Sequence, residues 1–227
     1  MTRINKLLSD NKLTLIIALP KNDLELAEAA VRGGADALQF HVNITGFAGF
    51  AEEKENLQAL VRQIKVPLGL SFGYNAETSE AEIKEIKKLG FDFFSVRMKL
   101  LPDYLRKIRG IGRIVTLHSD FIFEDLVNLD KIGADALDAA IVPSHGQGKD
   151  MVVGDLQNYI SIVLAAGVPV IIPTQKDIRP SEVPIVADTG AKGLLLTPVV
   201  TGTTAQHIEK NVREFRVAAD DLGDETK

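Results

Sequence analysis

The sequence predicts an α/β protein, a single closed (β/α)8 barrel. Three observations carry that expectation. Short apolar runs alternate with helical patterns eight times along the chain. The pentamer Gly-Ala-Asp-Ala-Leu opens at Gly34 and again at Gly133, 99 positions later, and related steps open at Gly90 and Gly190, 100 positions apart. The first apolar run ends in "IIALPKND", without the glycine-rich fingerprint of an open, doubly wound sheet.

The elements follow in order. "KLTLIIALP" is the opening strand. Strands two, four, six and eight are "GADALQFHV", "GFDFFSVRM", "GADALDAAI" and "GAKGLLLTP". Each begins just after a glycine that can take the left-handed turn ending the preceding helix. Strands three, five and seven are "KVPLGLSFG", "IGRIVTLHS" and "GVPVIIPTQ". Proline is tolerated at the start of a strand because no ladder N–H is needed there. Helical patterns fill the gaps, and three carry capping-box spacing: Asn22 with Glu25, Ser79 with Glu82, and Thr203 with Gln206. The segments "AEEKENLQALVRQI", "LPDYLRKIRG", "FEDLVNLDKIG", "DLQNYISIVLAAG" and "PSEVPIVADTG" supply the other helices. The glycine spacing predicts two half-barrels of four units each. Residues 1–227 read as one domain, with 1–11 an N-terminal extension and 220–227 a tail that frays.

Composition narrows the function. The chain has 227 residues, 45% of them hydrophobic, and no cysteine. Disulfides, thiolate nucleophiles and cysteine-ligated metals are therefore excluded, in keeping with a cytoplasmic protein. The net charge of −5 comes from mixed acidic and basic residues, with no basic stripe for nucleic acid. No apolar run approaches the ~20 residues of a membrane span, and the N-terminus lacks a signal-peptide pattern. The expected partners are a small anionic substrate and a second copy of the chain, with neither nucleic acid nor membrane.

Barrel active sites lie at the C-terminal ends of the strands, and strand side chains alternate in direction. Registering the even strands on their glycines groups Gln39 with Ser95, Asp138 and Leu195, then His41 with Arg97, Ala140 and Thr197, then Asn43 with Lys99. The intervening Leu38, Phe40, Val42, Phe94, Val96 and Met98 are bulky and suit the helix-facing side. The polar set therefore lines the barrel. Odd strands add Ser71, then Thr116, His118 and Asp120, then Thr174 and Gln175. His41 and His118 are proton carriers by type. Arg97 and Lys99 suit an anionic substrate or a developing oxyanion. Asp138 suits a group that orients a base or holds a lysine. Ser144 and His145 lie in the loop "VPSHGQGKD" and are assigned to substrate, with Gln39, Asn43, Ser71 and Thr116. Thr174, Gln175, Thr197, Gly202 and Thr203 gather after strands seven and eight as a phosphate-binding set.

At "QFHVNITGF", "IVPSHGQG" and "GAKGLLLTPVV" the chain resembles the ribulose-phosphate-binding superfamily of TIM barrels. That group includes ribulose-phosphate 3-epimerases, hexulose-phosphate synthases and N-acylmannosamine-phosphate epimerases. The resemblance implies a phosphate site after the last two strands and chemistry at the C-terminal mouth. The chain departs from the metal-dependent pattern. Asn43 stands where an aspartate would be needed, "LGLSFG" has no histidine, and "IIPTQKD" offers Thr174 and Gln175 instead of an aspartate. The synthase Asp-x-Lys-x-x-Asp signature is also missing. The expected function is a metal-independent isomerase, epimerase or lyase of carbohydrate metabolism, without a cofactor, acting on a small phosphorylated or anionic sugar-like substrate. A flavin-binding oxidoreductase barrel and a non-catalytic ligand-binding barrel are the alternatives.

Overall fold

A repeated hydrogen bond sets where the strands begin. In the computed structural model, which describes residues 1–72, 79–100 and 107–223, Gly34, Gly90, Gly133 and Gly190 all have φ between 86° and 105°. A side chain is strained in that region. Two residues later the carboxylates of Asp36, Asp92 and Asp135 accept the backbone N–H of Leu15, Leu68 and Arg113, at 2.7, 2.9 and 2.9 Å. Their own N–H groups donate back to the carbonyls of the same three residues. Each Gly-x-Asp step thus stitches the start of an even strand to the start of the preceding odd one. The fourth step has Lys192, which keeps the backbone bond to the Val170 carbonyl, at 2.8 Å, but brings no carboxylate.

Eight parallel strands close on themselves in sequence order. They are β1 (Thr14–Ala18), β2 (Ala37–Val42), β3 (Leu68–Phe72), β4 (Phe93–Arg97), β5 (Gly112–Thr116), β6 (Ala136–Asp138), β7 (Val170–Pro173) and β8 (Gly193–Leu196). The helices are α1 (Arg3–Asp10), α2 (Leu24–Gly33), α3 (Phe50–Gln63), α4 (Glu80–Leu89), α5 (Val153–Ala166), α6 (Val183–Asp188), α7 (Pro198–Thr201) and α8 (Ala205–Asp221). None of the helices searched among the described residues is long and apolar enough to cross a membrane.

The register explains the inner packing. Gly69 pairs with Phe93, and Phe93 with Gly112. A Cβ on Gly69 would lie 2.0 Å from the Phe93 ring. The phenyl group therefore occupies space that two glycines leave open. Ile16, Ala37, Phe93, Ile114, Ala136 and Ile171 form an inner apolar cluster with Ile4 and Leu8 of α1. Residues 3–10 are thus more than an appendage: α1 plugs the base of the barrel. Arg3 and Asn5 bond Asp92 and Asp135, and Arg216 of α8 bonds Asp36, so the stitches also hold two helices.

The outer layer differs from expectation in places. The cap of α2 is Asp23, whose carboxylate accepts from Leu26 N–H, and that of α8 is Thr204, which accepts from His207 N–H. Ser79 and Glu82 form the predicted capping box. "FEDLVNLDKIG" is no α-helix. It makes one 3-10 turn, Phe123–Leu126, and buries Leu126 and Leu129 while Asn128 sits at φ 63°. Two buried leucines three apart need only a turn. Most of the expected helix "LPDYLRKIRG" and the end of the tail lie outside the described residues.

Filling the space above Gly69 tests the inner packing. Gly69→Ala is expected to lower unfolding free energy by about 1–3 kcal/mol, measured by urea denaturation. Phe93→Leu in the same chain should recover part of that loss, giving a coupling between the two sites.

Candidate active site

The strand ends open into a cavity of about 400 Å³ at the C-terminal mouth. Its polar wall comes from inward positions of successive strands: Gln39 and His41 of β2, Ser71 of β3, Ser95 and Arg97 of β4, Thr116 of β5, and Asp138 of β6. Gln175 and Thr197, just beyond β7 and β8, also reach it. Leu19, Ile44, Phe47, Phe72, Pro173 and Leu195 make the apolar part. A volume of this order suits a small metabolite. A wider furrow along the outside of α8 is lined by charged side chains, among them the exposed Arg32 and Arg213, both paired with the half-buried Glu209.

Asp138 is 5% exposed and sits at the cavity floor. Thr116 Oγ1 donates to its Oδ2 at 3.2 Å, and Thr116 Oγ1 lies 2.7 Å from Ser95 Oγ. With the Thr116 proton committed to Asp138, Ser95 is the donor in that second contact. Asp138 Oδ1 accepts no hydrogen bond from the described residues. Burial outweighs the one hydrogen bond and pushes the carboxyl up to about 7.

His41 is held by its backbone. Asn22 Nδ2 donates to the His41 carbonyl at 2.7 Å, and Asn22 Oδ1 accepts the His41 N–H at 3.0 Å. Its ring packs against Phe47, centroids 5.0 Å apart. Burial pulls the imidazole down to about 4, so it is neutral at physiological pH. A neutral ring can donate or accept a hydrogen bond, but it adds no positive charge to the mouth.

Other expected site residues lie elsewhere. Asn43 adopts φ 57°, and its Oδ1 accepts from Phe50 N–H at 3.3 Å. It shapes the loop that carries Ile44 and Phe47 to the cavity and does not line it. Lys99 and His118 stand on the rim outside the cavity wall, and both meet Asp120, as does Arg97. The Lys99 ammonium, with the Arg97 guanidinium, holds the Asp120 carboxyl well below the usual carboxylate range. Ser144 and His145 are exposed in a single 3-10 turn away from the wall.

The corner after β7 and β8 is closed on itself. Thr174 is fully buried; its hydroxyl accepts from Thr197 N–H at 2.8 Å, while the Thr197 hydroxyl donates to the Thr174 carbonyl at 2.7 Å. Gly202 N–H donates to the Pro198 carbonyl, and Gln175 Oε1 accepts from Val142 N–H. Thr203 is exposed. Among the described residues searched, no group of three or more His, Asp or Glu side chains is placed to hold a metal ion. One participant escaped the sequence reading: Asn22 looked like a helix cap because its neighbour Asp23 is one. Asp120 was expected on the barrel wall with Thr116 and His118, but it stands on the rim, and nothing in the sequence gave its pairing.

No family model matches the chain, and no curated protein matches it. Solved structures do. Thiamine phosphate pyrophosphorylase from Pyrococcus furiosus superposes with TM-score 0.69 at 20% identity, covering 94% of this chain and 98% of that one. Phosphoribosyl anthranilate isomerase from Thermus thermophilus gives 0.66 at 17%, covering 92% and 100%. A 3-hexulose-6-phosphate synthase gives 0.67 at 16%, covering 91% and 99%. These likenesses agree on the class: a single (β/α)8 barrel. At such identities they establish the fold alone.

The two shifted groups predict opposite pH trends in stability. A carboxyl with a raised pKa binds more protons folded than unfolded, so Asp138 costs stability as pH rises from about 4 to about 7. His41, with a lowered pKa, costs stability as pH falls from 6.5 towards about 4. Asp138→Asn should therefore gain stability relative to wild type progressively between pH 4 and 7 and level off above. Denaturant midpoints across that range check it.

Proposed function

We propose that the chain is an isomerase or lyase that moves a proton on a small anionic, sugar-like carbonyl compound bound in the barrel mouth. The observation that carries this reading is Asp138: a carboxyl poised near neutrality, at the floor of an open cavity, with one oxygen unengaged. A general base works best when its pKa lies near the operating pH. Ionised Asp138 takes a proton from the carbon next to the carbonyl, and the electron pair moves onto the carbonyl oxygen. Arg97 and the neutral N–H of His41 stand on the same wall to hold that oxygen. Protonated Asp138 then returns the proton to the former carbonyl carbon while the adjacent hydroxyl passes its proton to the oxyanion, or the electron pair re-forms the carbonyl and expels a leaving group from the carbon beta to it, which departs with the Asp138 proton. Ser95 and Thr116 hold the carboxylate in place without taking a proton.

This assigns the proton to Asp138, where the sequence pointed to His41 or His118. His118 is off the cavity wall, and burial keeps His41 neutral. The scheme uses the chain's own residues and no metal. Support for a phosphorylated substrate comes from the similar barrels, three of which carry a phosphate or phosphoribosyl compound in their names.

The test is proton exchange with solvent. Phosphorylated ketoses and aldoses and 2-keto acids are incubated with the protein in deuterated water and followed by proton NMR. One of these classes should lose its C–H signal next to the carbonyl. Asp138→Asn should slow that loss by about 10²–10⁴-fold, the usual contribution of a general base. Exchange at the wild-type rate in Asp138→Asn, or no exchange in any class, contradicts the proposal.

A further inference from the structure

The rim above β4 and β5 holds a charge cluster of which the proton chemistry uses Arg97 alone. Asp120 Oδ1 accepts from Arg97 Nη2 at 3.0 Å and lies 3.2 Å from His118 Nδ1. Its Oδ2 accepts from Lys99 Nζ at 2.7 Å. Three side chains from two strand ends thus converge on one carboxylate.

That carboxylate is open to solvent. The Asp120 side chain is 51% exposed, on a turn closed by the bond from Phe121 N–H to the His118 carbonyl. Arg97 is different. Its side chain is 21% exposed and occupies an inward position of β4, paired with Thr116 of β5. It lines the cavity, and it is the one arginine or lysine among the described lining residues. An anion inside the mouth therefore faces Arg97. On the opposite side, the hydroxyls of Thr174 and Thr197 and the amides of Thr197 and Gly202 are already bonded within their own corner.

We infer that Arg97, Lys99 and His118 form the subsite for the substrate's oxyanion group, and that Asp120 is a stand-in anion displaced when that group binds. The inference rests on the anionic-substrate reading above. Its chemistry is that of a terminal phosphate or carboxylate, either of which offers the oxygens that Asp120 now presents to the three donors. It moves the anchor from the β7–β8 corner to the β4–β5 rim. There the anionic end of a ligand lies on the same side of the mouth as Ser95, Thr116 and Asp138. It also gives Asp120 a purpose: two cations without an anion would repel each other in the empty site, and the stand-in keeps them placed.

Calorimetric titrations at neutral pH and low salt test this, with inorganic phosphate and acetate as separate probes. An internal anion competes with an external one. Removing it from Asp120→Asn and Asp120→Ser should tighten binding by about tenfold, the factor of one charge-assisted contact. A gain for phosphate alone assigns a phosphate group, and a gain for acetate alone a carboxylate. Adding Arg97→Ala should abolish the gain. If both variants, folded by their melting curves, bind both probes no more tightly than wild type, the inference is wrong. A wild-type crystal soaked in phosphate decides independently of variant folding: Asp120 should have left Arg97, and Asp120 still in place with the anion elsewhere overturns the inference. Failure here with proton exchange intact removes the subsite alone. A tenfold gain without exchange removes the proton chemistry alone.

Discussion

Everything at the mouth depends on a hydrogen bond at the base. The carboxylates of Asp36, Asp92 and Asp135 grip the N–H groups of Leu15, Leu68 and Arg113, at the first or second residue of β1, β3 and β5, and fix the stagger between neighbouring strands. A bond from a charged acceptor contributes about 1.5–3 kcal/mol, more than an exposed ion pair such as Lys84–Glu80. Register matters because side chains alternate with a period of two. A slip of one residue would turn Gln39, Ser95 and Asp138 out to the helices and bring Phe40 and Phe94 into the mouth. The stitch and the site lie at opposite ends of the same strands, and the first determines the second.

The barrel treats its two inward-facing ionisable side chains of β4 and β6 differently. Arg97 is long, and its guanidinium reaches the rim, where Asp120 meets it. Asp138 is short and cannot follow. It stays among Thr116, Ser95 and apolar neighbours, and it meets the cost of burial by holding its proton to about pH 7. A fixed cation at the lip and a titrating carboxyl at the floor divide the work between them. One suits holding an anion or an oxyanion, and the other suits moving a proton.

Much of this was legible in the sequence. Glycine-led steps marked the four even strands and proline-led runs β3 and β7, short apolar runs marked β1 and β5, and alternation placed Gln39, His41, Ser71, Ser95, Arg97, Thr116 and Asp138 on one wall. Alternation stops being informative where a strand stops. β2 ends at Val42, and Asn43 turns at φ 57°; β4 ends at Arg97, and a 3-10 turn begins at Met98; β5 ends at Thr116. Asn43, Lys99 and His118 each fall at the next inward step after a strand that has ended, and each leaves the wall. Helix caps were off by one where two capping residues adjoin, as with Asn22 beside Asp23 and Thr203 beside Thr204. The repeated pentamer promised a scaffold repeat, but its aspartate acquired a role only when the partner N–H groups were in view.

The account stands on the ionisation of one side chain. Carbon-13 NMR of protein labelled at its aspartate carboxyls, titrated beside Asp138→Asn to assign the signal, measures it directly. The account predicts that the resonance missing from the variant titrates near pH 7 in the wild type. A midpoint near the ordinary aspartate value of about 4 would contradict it, because Asp138 would then be a structural carboxylate and the mouth would lack its proton carrier.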